Sequence, residues 1–99
     1  MNQKESVTPS SGNVFSDLGF TPEEAENLRV RADLMVAIKK LIKAEGWTQQ
    51  EAAGHFGVTQ PRISEIHKGK IELFTVDKLI NMLAHAGRQV SVQIVERVA

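Results

Sequence analysis

The sequence predicts an all-α domain of four to five helices, closed by one short C-terminal β-strand. Three observations predict it. Threonines stand ahead of apolar stripes at helical spacing, glycines close several of those stripes, and after Gly87 the apolar period drops to two. The chain has 99 residues, of which 41% are hydrophobic and 24% charged, so it has material for one core and not for two.

Residues 1–13 are polar apart from Val7 and Met1, with little to bury, and are expected to form a flexible arm. Val14, Phe15, Leu18 and Phe20 follow as an apolar patch expected to fold back on the body. Thr21-Pro22-Glu23-Glu24 reads as a helix start: the threonine accepts from an orphan amide, proline needs no donor in the first turn, and Glu24 completes a capping box. Leu28, Ala32, Met35, Ile38, Leu41 and Ile42 then make one stripe from about residue 22 to Glu45, with Gly46 as the stop and room for a break near Arg31. Thr48-Gln49-Gln50-Glu51 repeats the capping box and opens a second helix ended by Gly57. Thr59 opens the next, with Pro61 in its first turn and Ile63 and Ile66 facing inward before Lys68-Gly69-Lys70. Thr75 caps a further helix whose inner face is Val76, Leu79, Ile80, Leu83 and Ala84. Beyond Gly87, Val90, Val92 and Ile94 alternate with polar residues, the pattern of a half-buried strand. No second strand is visible, so this one is expected to pair with the same strand of another copy. The organisation is therefore an arm at 1–13, a helical domain at 14–87 and a dimerisation element at 88–99.

Composition excludes several kinds of chemistry. There is no cysteine, hence no disulfide, thiolate zinc site or catalytic thiol. His55, His67 and His85 lack metal-ligand spacing, and no Ser-His-Asp order, phosphate loop or carboxylate pair stands out. The expectation is a protein without metal, cofactor or catalysis. No run approaches the roughly 18–20 apolar residues of a membrane span, and the N-terminus lacks the apolar core of a signal peptide, which makes cytoplasm the expected compartment.

Net charge is zero but segregated. Residues 1–28 carry one basic and five acidic side chains, whereas residues 29–70 carry eight basic and four acidic ones. The middle can attract phosphate; the beginning repels it.

The stretch from Gln49 to Ile66 carries the functional signal. Two short helices crossing steeply need a small residue where they approach, which Ala53 supplies, and a turn tolerant of positive φ, which Gly57 supplies. Val58, Ile63 and Ile66 complete the inner faces, turning Gln60, Pro61, Ser64, Glu65 and Lys68 outward. Trp47, just ahead, suits a core position better than a stacking surface.

Over residues 31–86 this pattern resembles the Cro/repressor (Xre) type of helix-turn-helix, a lambda-repressor-like fold, and the flanking Asn13–Gly19 and Gly87–Val90 resemble its HigA-type antitoxin branch. The resemblance implies that the helix from Thr59 lies in the major groove of double-stranded DNA. Gln60 is then the best base reader, through the N6 and N7 of adenine. Arg62 can reach guanine or a phosphate, Ser64 a base or the backbone, and Glu65 is tolerable only if it accepts from cytosine N4 or pairs with Arg62. Pro61 stands where many family members carry a hydrogen-bonding side chain, leaving only apolar contact. Thr48, Gln49, Thr59, Lys68 and Lys70 are the phosphate candidates, while Lys39, Lys40 and Lys43 suit either phosphate or solvent. Such a protein is a homodimeric repressor at an inverted-repeat operator, and on the antitoxin branch it also neutralises a cognate RNase toxin, with the N-terminal arm as candidate contact. The competing expectation is a module that binds protein alone.

Overall fold

The computed structural model describes residues 13–96, so most of the expected N-terminal arm, and residues 97–99, lie outside the described residues. Five α-helices follow one another: α1 Val14–Asp17, α2 Pro22–Glu45, α3 Gln49–Phe56, α4 Gln60–His67 and α5 Val76–His85, with a 3-10 turn at Ile71–Leu73.

Capping explains the boundaries. Thr21 and Glu24 exchange bonds of 3.0 and 3.2 Å at the start of α2, and Thr48 and Glu51 do the same at 2.8 and 3.1 Å for α3. Each such cap stabilises its helix by about 1 kcal/mol. α2 runs unbroken past Arg31 to Gly46. Thr75 accepts from the Lys78 amide at 3.1 Å and opens α5.

The core lies where α2, α3, α4 and α5 converge, on Met35, Ile38, Ile42, Phe56, Ile63, Ile66, Phe74 and Leu79 among others. The α2 stripe is buried as expected at Met35, Ile38 and Ile42, and half-buried at Leu28, Ala32 and Leu41; Ala25 joins the buried set. On α5, Leu79 and Leu83 are buried as expected, Met82 joins them, Val76 and Ile80 are half-buried, and Ala84, expected on the inner face, is exposed.

Two expectations change. The patch at 14–20 folds back only in part: Asn13 caps α1 by accepting from the Phe15 amide and ties it to α2 by donating to the Ala25 carbonyl at 3.2 Å, yet Val14 and Leu18 stay exposed. The C-terminal strand does not form. Residues 88–96 contain no strand, because a ladder needs a second edge and the described residues offer none. Val90 alone packs on the core, whereas Val92 and Ile94 are 76% and 89% exposed.

Candidate nucleic-acid interface

α3 and α4 are joined by Gly57, Val58 and Thr59. Gly57 has φ +71, and a Cβ placed there would lie 2.8–2.9 Å from the His85 ring, so conformation and space both select glycine. His85 Nδ1 lies 3.0 Å from the His55 carbonyl; since a carbonyl only accepts, the ring carries its proton on Nδ1 in this bond and ties α5 to the end of α3. Ala52 and Ala53 are buried at the base of α3, as a close helix approach requires. Trp47 is half-buried against this unit, stacked on His55 at 3.8 Å between ring centroids and edge-on to Phe56. It therefore packs against the edge of the core, where a core position was expected.

Ile63 and Ile66 are fully buried, which fixes the rotation of α4 about its axis. Gln60, Pro61 and Lys68 are exposed; Arg62, Ser64 and Glu65 are half-buried. Of the two arrangements open to Glu65, the structure adopts the pair with Arg62, at 2.9 Å. The guanidinium also lies over the Phe74 ring, 5.6 Å from its centroid. A half-exposed pair of this kind contributes no more than about 1 kcal/mol, so phosphate or a base edge can displace it.

Thr48 and Gln49 begin α3, Thr59 begins α4, and Lys68 and Lys70 flank the turn after α4, so all five phosphate candidates belong to the α3–α4 unit or its borders. Among the described residues neither lysine sits in a salt bridge. Thr59 differs from Thr21, Thr48 and Thr75: its side chain makes no capping bond to α4. Capping at Thr48 uses the hydroxyl as acceptor and leaves its proton free to donate.

The arginines of α2 are already engaged. Arg29 sits between Glu26 at 2.7 Å and Asp33 at 2.9 Å; the Glu26 hydrogen bond chiefly raises its pKa above the ordinary arginine value, burial opposes it next, and the charges of Glu26 and then Asp33 add to the rise. Arg31 donates to Asn27 at 2.7 Å and to the Ile71 carbonyl. Exposed positive charge in residues 29–70 therefore resides on lysines: Lys39, Lys40 and Lys43 on α2, and Lys68 and Lys70 after α4.

Phe74 was not legible as a site residue, although a signal for it exists. It directly precedes the Thr75 cap, where an apolar side chain staples to the fourth helical residue, here Leu79, and both are buried.

A family model described as helix-turn-helix domain matches residues 14–95. The chain belongs to the helix-turn-helix domain family. No curated protein matches it. A solved structure described as an XRE-family transcriptional regulator is similar to it, with 27% identity over 74% of this chain and 82% of that one, at a TM-score of 0.67. The helix-turn-helix domain thus has an XRE-type arrangement, with α3 and α4 as the two helices of the motif. Among its described residues no helix is long and apolar enough to cross a membrane, and no three histidine or carboxylate side chains group as metal ligands.

Proposed function

We propose that this helix-turn-helix domain binds duplex DNA sequence-specifically and regulates transcription, α4 entering the major groove with Gln60 against the bases. The observation that carries the reading is the α3–α4 unit itself: Ile63 and Ile66 hold α4 in the core while Gln60 at its first turn, Thr48 and Thr59 at two helix starts, and Lys68 and Lys70 at its end stay outside. Gln60 reads, Arg62, Ser64 and Glu65 tune, and the two lysines with Thr48, Gln49 and Thr59 hold phosphate. Repression by occlusion follows if the operator overlaps the promoter. A protein of this design has two half-sites to fill, and the exposed Val92, Ile94 and Val95 supply an edge through which two copies can pair. The operator is then an inverted repeat with half-sites about 34 Å apart.

The test is a mobility-shift series against DNA from upstream of the gene and against random duplex. Gln60→Ala lowers the ratio of operator to random affinity, by the roughly 1–3 kcal/mol that a bidentate contact discriminates. Lys68→Ala weakens both alike and reduces the salt slope by about one. Absence of any binding at low ionic strength removes the reading.

A second activity, as the antitoxin of a type II pair, is favoured by one observation. Val14, Leu18 and Phe20 remain exposed in the same stretch as the exposed Asp17, Glu23 and Glu24, an apolar and acidic composition that suits a basic protein such as an RNase toxin better than nucleic acid. Co-expression with the product of an adjacent reading frame gives a stable complex on this reading, and no complex refutes it.

A further inference from the structure

We infer that the groove between the α3–α4 turn and α5 is a binding site for a small carboxylate with an apolar body. The groove holds about 350 Å³, at the small end of the range of roughly 300–1,000 Å³ for ligand sites. Val58 and the edges of the otherwise buried Phe56, Phe74 and Met82 line it with apolar atoms, and Arg62, Lys78 and Asn81 line it with donors. His85 closes it beside Gly57, with its Nδ1 already engaged by the His55 carbonyl.

Charge selects the occupant. No carboxylate lines the groove, and the nearest one tied to it, Glu65, compensates Arg62 at 2.9 Å. Among the described residues Lys78, exposed at the groove's side, sits in no salt bridge, so its ammonium is available to pair with a monoanion there. A neutral apolar ligand would leave that charge unanswered; a dianion would meet Glu65 beside the only other strong cation. Asn81 adds a directional donor for a second carboxylate oxygen. The wall formed by Arg62 is a wall of α4, so an occupant touches the side chain proposed above to meet DNA. Binding in the groove rests on the groove alone, and only its effect on DNA rests on the proposed function.

The test uses the free protein without DNA. 4-Phenylbutyrate is titrated into isotope-labelled protein, with its neutral amide as control, and amide resonances are followed by NMR. The expected result is low-millimolar binding with shifts centred on Gly57, Lys78, Asn81 and Met82, and much weaker binding of the amide. Lys78→Gln lowers carboxylate affinity roughly three- to fivefold, the effect of one exposed charge pair, and leaves the spectrum otherwise folded. No saturable shift, shifts centred elsewhere, or equal binding of acid and amide overturns the inference. Loss of DNA binding with intact carboxylate binding would remove the proposed function and leave this site standing.

Discussion

Replacing Gly57 by alanine tests how the two helices of the motif are held. The backbone there has φ +71, and a left-handed conformation costs a residue with a Cβ about 1–2 kcal/mol. The new methyl would also lie 2.8 Å from His85 Cδ2. Because His85 is exposed, its ring swings aside more cheaply than the backbone parts, and what is lost is its bond to the His55 carbonyl, about 0.5–1.5 kcal/mol. The expected destabilisation is the combination, about 1.5–3.5 kcal/mol. Urea denaturation at one fixed protein concentration measures it, since any self-association makes stability concentration-dependent. The same substitution in a His85→Ala background retains only the backbone component, about 1–2 kcal/mol. Equal losses in both backgrounds would show that the ring contact contributes nothing, and a total below about 0.5 kcal/mol would refute the conformational argument as well.

Three further outcomes are expected. Thr48→Ala loses about 1 kcal/mol of stability whereas Thr59→Ala loses clearly less, because only Thr48 caps its helix through its side chain; similar losses in denaturation would contradict that difference. Glu65→Gln releases Arg62, raising affinity for random duplex and steepening the salt dependence by about one phosphate contact; an unchanged slope in a salt titration counts against Arg62 as a phosphate ligand. On the proposed pairing of two copies, Ile94→Glu gives a monomer in sedimentation where the unaltered chain gives a dimer, with unaltered helix content; a persistent dimer, or a monomer without the substitution, excludes pairing through the C-terminal run.

Local chemistry made the helices legible. Thr21, Thr48, Thr59 and Thr75 each stand at an N-cap, and Gly46 and Gly57 end α2 and α3, because caps are decided within a few residues of sequence. What needs the whole fold was hidden. Phe74 lies outside any periodic stripe, so its place beneath Arg62 emerges only when α4 and α5 meet. The alternation of Val90, Val92 and Ile94 has the period of a strand, yet periodicity states only which faces differ, and a ladder needs a neighbour that the described residues do not contain. The Arg62–Glu65 pair was one of two arrangements the residues allowed, three positions apart on a helix and thus within reach. Its existence means that Arg62 and Glu65 cancel on α4, which leaves the exposed Lys68 at its end as the net positive charge of that face.

The chain has a single tryptophan, and it sits flat against His55 at the entrance to α3. An indole in that position is a built-in optical probe of the seam between α2 and α3: its emission changes when the first helix of the motif lifts away, and it needs no dye or added label. Loosening of the motif on heating or in denaturant can therefore be followed by light from a single native residue.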